Sequence, residues 1–393
     1  MVQIKTIEER PIKILLHVVF MLSGIATVLI GQVLPIIARQ FSLNDLQLSY
    51  LFPVQFAGSL LGTFLTSQFG SRNRFLLATV IGCFLMSGGV LLMNVDTFSV
   101  CLTGFFINGL GIGLTLPSIN MLILALNPER SGSALSLLNF FWGVGAIICK
   151  PFVDLFSSGT SIFKTTAILA SMIIAAGVLL IFLPGVQEPK LPEVQIGAEE
   201  QSPIWTTPIA WAIAFFNFIH VGFESGMGGW LTTYTGRIDN QAMPVFFSPT
   251  LLYFLLFVVG RGVAPIFFRY MNEDKMLLLG LSTIAAGMIV TLSADSVLIL
   301  GIGASIAGFG TSWIFPTNVA RFYNTFGAGS TRRATPLFIC GTLGAASVTW
   351  LIGGLSNWFS DLRAGMFVLL VSVVMLIVLQ IVLSLTGQNP ERK

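Results

Sequence analysis

The sequence predicts an all-α membrane protein of twelve transmembrane helices, arranged as two parallel repeats of six helices each. The composition is the first observation behind this prediction. Hydrophobic residues make up 54% of the 393-residue chain, charged residues only 9%, and the mean hydropathy is +0.88. A soluble domain carries roughly 25% charged residues. This chain has too few charges to cover a water-facing surface, so lipid must be the solvent for most of it.

The number of spans is the second observation. A helix rises 1.5 Å per residue, so about 20 apolar residues cross the hydrocarbon core. The first apolar segment follows basic residues, as in a signal peptide, but it is long enough to span and lacks a small-residue cleavage site, so we expect it to be retained. The predicted spans are 14–35, 46–67, 74–94, 98–126, 133–154, 164–184, 208–233, 248–268, 275–294, 297–321, 335–356 and 364–385.

An internal repeat is the third observation. The stretch Gly109–Pro117 in the fourth span recurs 199 positions later as Gly308–Pro316 in the tenth, with two glycines and the proline matched. At the same offset, Gly145 in the fifth span corresponds to Gly344 in the eleventh. Six spans lie on each side of the central polar stretch, so the copies share topology and are parallel repeats. The predicted domains are a bundle at 1–185, a cytoplasmic linker at 186–206 and a second bundle at 207–393.

The distribution of Lys and Arg predicts the orientation, because acidic residues contribute little to it. With a cytoplasmic N-terminus, fourteen basic residues fall inside and four outside, and Lys150 and Arg261 lie within spans. Both termini are therefore predicted to be cytoplasmic, in what we expect to be a bacterial inner membrane. The inner residues are Lys5, Arg10, Lys13, Arg72, Arg74, Arg130, Lys190, Arg269, Lys275, Arg321, Arg332, Arg333, Arg392 and Lys393; the outer ones are Arg39, Lys164, Arg237 and Arg363.

The loop after the second span carries Gly70, Arg72 and Arg74. It resembles the signature loop of the major facilitator superfamily, in which an acidic residue precedes the glycine and the basic residues; here Ser67 stands in its place. The resemblance implies the major facilitator fold and a gating role for Gly70, Arg72 and, in a degenerate second copy, Arg261. The alternative interpretation is that Arg72 and Arg74 only mark a cytoplasmic loop.

Several further stretches are similar to the fucose permease type of sugar:proton symporter. This resemblance implies a secondary carrier for a sugar, coupled to protons. That permease has acidic residues in its first and fourth spans, whereas this sequence has none there. The stretches are Leu34-Pro35, Leu51–Gly58, Gly113–Asn120, Asn139–Ala146, Val221–Glu224, Gly229–Leu231 and Tyr234.

Ionisable groups inside spans are costly to bury and are therefore functional candidates. His220 and Glu224 are four residues apart, so they share one helix face. Either group could load and release a proton in a transport cycle, and we predict that both serve proton coupling. The alternative is that they only satisfy each other and brace the helix. Lys150 has a similar ambiguity: it could attract an anionic substrate or pair with Glu224, or it could simply pair with Asp154, one turn away.

Polar and aromatic side chains at membrane depth could form a pocket for a sugar or related metabolite. Amides supply donors and acceptors, and a Trp ring can stack on a sugar face. The predicted substrate-binding residues are Gln55, Asn120, Asn139, Trp142, Lys150, Asn217 and Trp313, with Asn108, Asn318 and Trp230 as further polar or aromatic candidates.

Other function classes are less consistent with the sequence. We find no zinc-binding His-Glu pattern, nucleophile elbow or phosphate loop, so we expect no enzyme activity and no cofactor or metal. No basic run suited to nucleic acid occurs. The expected partners are a small-molecule substrate, protons and the lipid bilayer, for a chain that acts as a monomer. The alternative function is a drug or metabolite exporter, working as a proton antiporter on the same fold.

Overall fold

The computed structural model describes residues 10–127, 131–182, 204–239, 247–327 and 333–387. The described residues include fifteen helical stretches, of which one is a short 3-10 turn at Ile204–Thr206. Most of the predicted linker 186–206 lies outside the described residues. The helices are α1 Arg10–Phe41, α2 Asp45–Ser49, α3 Leu51–Gly70, α4 Phe75–Leu92, α5 Phe98–Leu126, α6 Ser131–Phe156, α7 Phe163–Phe182, α8 Pro208–Ile238, α9 Pro249–Phe267, α10 Glu273–Leu292, α11 Val297–Thr311, α12 Ile314–Phe326, α13 Thr335–Phe359 and α14 Leu362–Gly387.

Twelve of the helical segments in the described residues are long and apolar enough to cross a membrane. This number confirms the twelve spans predicted from the sequence. Two of the spans are interrupted, which the sequence analysis did not predict. The second span starts with the short helix α2, which is capped by Asn44 before Tyr50 leads into α3. The tenth span consists of α11 and α12, separated at Ser312 and Trp313.

The chain forms two compact units. The first contains Met1–Leu43 and Leu51–Glu193, and the second contains Asn44–Tyr50 and Val194–Lys393. In the first unit, α1 packs on α6, α3 packs on α5, and α4 packs on both α5 and α7. In the second unit, α8 packs on α13, α9 packs on α11, and α10 packs on both α11 and α14. These are the same pairs of spans in each unit, counted from its first span, as two parallel repeats require.

Matched glycines account for the close approach within each repeat. A Cβ on Gly109 would fall on the backbone of Gln55 in α3, and a Cβ on Gly308 would fall on the backbone of Tyr253 in α9. The Gly145–Gly344 pair behaves in the same way, because Gly145 lies against the backbone of α1 and Gly344 lies against the backbone of α8. Small residues permit such backbone contact between helices. The repeat in the sequence therefore reflects a repeated packing contact.

The segment Asn44–Tyr50 is attached to the rest of the second unit by a buried carboxylate. Asp45 accepts two hydrogen bonds from the Arg237 guanidinium, at 2.8 and 2.5 Å, and one from the Ser356 hydroxyl. Gly353 of α13 has no side chain, so the backbone of Asp45 can approach it closely. This bidentate pair joins residues 192 positions apart, a contact that no local sequence pattern indicates.

The Lys and Arg distribution makes a testable prediction about topology. We expect both termini to lie in the cytoplasm, because most of the basic residues fall on the same side of the membrane as the termini. A reporter that works only in the cytoplasm should therefore be active when it is fused after Lys393 or placed before Arg10. Two kinds of fusion would measure this: alkaline phosphatase, which is active only outside the cytoplasm, and a reporter that is fluorescent only inside it. An active phosphatase at Lys393 would reverse the predicted orientation.

Candidate functional site

A histidine and a glutamate lie together on α8 in the second unit. His220 and Glu224 are one helical turn apart, and their Nε2 and Oε2 atoms are 3.7 Å from each other. His220 is fully buried and neither of its ring nitrogens has a hydrogen-bond partner. The Glu224 side chain keeps 21% of its surface exposed. The pair thus combines an accessible carboxyl group with a buried imidazole, in a position where a proton could pass between them.

Arg261 is a basic residue whose charge acts on both members of this pair. It lies in the interior of α9, where its guanidinium is 4.2 Å from the centre of the Phe257 ring. Its Nε donates a hydrogen bond to the Ser312 backbone carbonyl at 3.3 Å. Its positive charge also interacts electrostatically with Glu224 and with Tyr253. The second unit therefore contains an acid, an imidazole and a guanidinium in one electrostatically linked group, and the sequence analysis had linked only the first two.

The amides of the first unit mainly connect helices. Gln55 donates to the Thr27 carbonyl of α1 at 3.2 Å, and Asn108 donates to the neighbouring Ala26 carbonyl at 3.2 Å. Both side chains are buried, and the carbonyl oxygen of each has no hydrogen-bond partner. A buried oxygen without a donor is costly, and neither of these oxygens has appreciable accessible surface in this structure.

Asn120 and Asn139 differ from Gln55 because they bond within their own helices. Asn120 donates to the Leu116 carbonyl at 2.9 Å, and Asn139 donates to the Leu135 carbonyl at 2.8 Å. Asn139 is exposed and Asn120 is partly exposed. Their carbonyl ends therefore remain accessible on the surface of the first unit. Their role in binding stays a prediction.

The amides of the second unit repeat the pattern of Gln55. Asn217 donates to the Leu337 carbonyl of α13 at 2.9 Å, and Asn318 donates to the Ile213 carbonyl of α8 at 3.2 Å. Both are buried, and the side-chain oxygen of each has no partner. The amide nitrogens thus hold α8 against its neighbours, and the oxygens are left buried without a donor.

The three candidate tryptophans comprise one partly exposed ring and two buried ones. Trp142 is partly exposed, and its buried indole nitrogen has no hydrogen-bond partner. Trp313 is only 1% exposed, and its indole nitrogen donates to the Met276 carbonyl of α10 at 2.9 Å. Its ring is thus enclosed and its donor is already used, and its role as a wall of the pocket stays a prediction. Trp230 is likewise buried and donates to the Thr349 carbonyl.

Lys150 pairs with Asp154, as the simpler of the two interpretations predicted. Its Nζ is 2.5 Å from Asp154 Oδ1, and the two side chains are 15% and 30% exposed. The pair spans one turn of α6 in the first unit. The positive charge is therefore neutralised within its own helix, and the ion pair described for His220 is the one with Glu224.

The predicted gating residues lie in two different settings. Gly70 ends α3, and a Cβ there would meet the Phe75 ring at 2.6 Å, so the tight turn favours glycine. Arg72 is exposed in the following turn. The Ser67 hydroxyl donates to the Phe64 carbonyl of its own helix at 2.7 Å. Arg261, by contrast, is not in a loop but in the interior of α9.

His17 is a polar group that the sequence analysis missed. It lies in α1, its Nδ1 is 2.6 Å from the Lys13 carbonyl, and its ring packs edge-on against Phe141. Its Nε2 is buried without a partner. The signal was present in the sequence, since a histidine within an apolar span is an intramembrane ionisable group.

A second feature of this unit is a cavity of about 430 Å³, whose wall includes Ile213 of α8. Its polar wall includes Arg321, which donates to Asp274 at 3.3 Å and to Gln380 at 2.5 Å. Gln380 in turn donates to Asp274 at 2.9 Å. These groups link α10, α12 and α14, with the Arg321 Nη1 atom left buried and without a partner, and we interpret the network as a brace at one end of the unit.

Comparison with known proteins places this geometry in a family. The model of the Major Facilitator Superfamily matches residues 16–337. A curated relative from Yersinia pestis, described as an uncharacterized MFS-type transporter, is 24% identical over 312 residues, which is 76% of each chain.

Solved structures share the fold at low sequence identity. A bacterial homologue of the human lysosomal transporter Spinster, in an inward-facing and unoccupied conformation, has a TM-score of 0.81 at 13% identity, covering 96% of this chain and 97% of its own. The fucose:proton symporter of E. coli has a TM-score of 0.62 at 17% identity, covering 94% of this chain and 98% of its own. The fold resemblance to the fucose permease type is thereby confirmed, within a superfamily of transporters rather than enzymes.

Proposed function

The chain belongs to the Major Facilitator Superfamily, and on that premise we propose that it moves a small polar solute across the membrane by alternating access, coupled to protons through Glu224. The His220–Glu224 contact supports the proton-coupling part of this proposal most directly. An acid in a span is costly unless it is paired or protonated. Proton coupling, in which the carboxyl group gains and loses a proton as access alternates, would account for an acid at this costly position.

The proposal of a polar solute is supported by the unpartnered oxygens. Gln55, Asn108, Asn217 and Asn318 each use the amide nitrogen for a helix contact and keep a buried oxygen without a donor. Hydroxyl groups of a sugar or polyol are donors that suit such oxygens. The E. coli fucose:proton symporter, which shares the fold, is itself a carrier that moves a sugar with protons.

An exporter of apolar compounds is the second candidate. The observation that favours it is the enclosure of Trp313 and of the amide nitrogens, while the Glu224 side chain keeps 21% of its surface exposed. Exporters of this kind work with one buried acid and an apolar cavity.

Uptake into reconstituted vesicles separates the two candidates. Purified protein would be tested with a panel of sugars, nucleosides, organic acids and lipophilic dyes, with and without an imposed proton gradient. We expect accumulation of at least one sugar or polyol when the outside is acidic, and none when the gradient is collapsed by an ionophore. Gradient-driven movement of dyes alone would favour the exporter, and movement that ignores the gradient would contradict proton coupling.

A further inference from the structure

Each unit carries a proline at the same place in its repeat. Pro117 lies in α5, and Pro316 lies in α12. Proline has no backbone N–H, so the carbonyl four residues earlier loses its helical donor. These carbonyls belong to Gly113 in the first unit and Ser312 in the second. In the hydrocarbon core such a group must find another donor.

In the first unit a neutral side chain reaches the freed carbonyl. The Thr66 hydroxyl of α3 is 3.0 Å from the Gly113 oxygen and 3.3 Å from the Leu114 oxygen. The neighbouring Gly62 lets α3 approach, because a Cβ there would lie 3.0 Å from the Gly113 Cα. The helix α5 continues through Pro117 without interruption.

In the second unit a charged side chain takes the same role, and the helix is broken. The Arg261 Nε donates to the Ser312 oxygen, and the Ser312 hydroxyl donates to the Phe309 carbonyl at 2.6 Å. The span is interrupted between α11 and α12 at this residue. Gly260, beside Arg261, leaves room for it, since a Cβ there would lie 2.7 Å from the Ser312 Cβ.

We propose that Arg261 is the positioning residue of this break: its guanidinium supplies the hydrogen bond that Pro316 removes from the Ser312 carbonyl, as Thr66 does for Gly113 in the first unit. The break is then held by a side chain rather than by the backbone ladder. A side-chain bond can open and re-form without unwinding α11 or α12, so the break can act as a joint. This role is separate from proton coupling and holds whether or not Glu224 carries protons.

The stacking of Arg261 on Phe257 fits this role. The ring face holds the guanidinium 4.2 Å away and leaves its Nε directed to the carbonyl. A hydrogen bond from a charged donor contributes more than a neutral one. We therefore expect loss of the Arg261 donor to have a larger effect on the break between α11 and α12 than loss of the Thr66 hydroxyl has on α5 around Pro117.

Hydrogen exchange by mass spectrometry on the purified full-length protein tests the proposal without any substrate. Arg261→Met keeps the unbranched side chain out to the position of the Nε atom and removes the donors and the charge. We expect the amides of residues 312–318 to exchange at least about tenfold faster in R261M, which corresponds to the loss of one charge-assisted hydrogen bond. In P316A a backbone N–H is restored to the Ser312 carbonyl, so adding R261M should change exchange less than about twofold.

Matched variants in the first unit serve as the control. Thr66→Val and Pro117→Ala should show the same non-additivity in the amides of residues 113–119, with a smaller single effect. Because the Arg261 charge also acts on Glu224, every comparison is repeated in the E224Q background. The proposal would be overturned if R261M changed amide exchange equally in the wild-type and P316A backgrounds. It would also be overturned if the E224Q background abolished the effect of R261M. If R261M does not fold, Arg261→Leu in both backgrounds, which likewise removes every side-chain donor, gives the same test.

Discussion

Replacing Glu224 by glutamine is expected to abolish accumulation of the solute that the vesicle panel identifies, while leaving exchange of labelled for unlabelled solute largely intact. Glutamine keeps the size of the side chain but cannot release a proton. Exchange at equal concentrations needs no net proton movement, whereas accumulation does. The expected signature is therefore a loss of at least about tenfold in gradient-driven uptake with little change in counterflow, a difference of about 1.4 kcal/mol or more in coupling.

A matched control is available in the same unit. Glu273→Gln makes the identical chemical change at the start of α10, where the carboxylate accepts a hydrogen bond from Asn324 at 2.7 Å. That variant should accumulate solute at close to the wild-type level. If E224Q still accumulates solute in response to a proton gradient, Glu224 is a structural charge, most simply paired with His220. If both variants lose uptake equally, the effect is one of stability and is measured by melting.

Adding one methyl group to Gly344 is expected to destabilise the protein, in contrast to the usual effect of alanine in a helix. A Cβ there would lie 2.6 Å from the Phe218 carbonyl carbon, so α8 and α13 could not keep their present distance. The contacts between these helices include the Asn217–Leu337 and Trp230–Thr349 hydrogen bonds, both near 3 Å. Overpacking of this kind costs about 1–3 kcal/mol, and we expect a clear fall in melting temperature.

Gly236 on α8 provides the opposite expectation. A Cβ at this position meets nothing within 4 Å. Alanine is a better helix former than glycine by about 1 kcal/mol, so Gly236→Ala should leave the melting temperature unchanged or raise it. Thermal unfolding of the two variants in the same detergent measures both. A Gly344→Ala protein as stable as the Gly236→Ala protein would show that the close approach is not needed.

The spans and the repeat could be predicted because the bilayer imposes simple rules on local sequence. Length, apolar content and the matched glycines depend on few long-range details, and the structure agrees with each. The break in the tenth span was missed. Pro316 was visible in the sequence, but its counterpart Pro117 lies in a continuous helix. Local sequence alone could not tell which of the two prolines would interrupt its span.

The binding residues were harder to predict, because an amide has two ends. The sequence shows that Gln55 and Asn217 lie at membrane depth, but only packing decides that their nitrogens hold neighbouring helices and their oxygens stay unpartnered. Trp313, which was predicted as a pocket wall, is enclosed in this structure, and its role in binding stays a prediction. A tryptophan suits helix packing and ligand stacking equally, so its chemistry could not decide between them.

What the sequence by itself determined is the membrane class, the twelve spans, the twofold repeat and the turn that brings His220 beside Glu224. All of these follow from composition or from spacing along one helix. The tertiary structure decided which donor meets which acceptor between helices, such as Arg261 at the Ser312 carbonyl and Arg237 at Asp45. The physical reason is that a hydrogen bond is directional and short. Its partners across helices are therefore fixed by packing to within an ångström, which spacing along the chain does not specify.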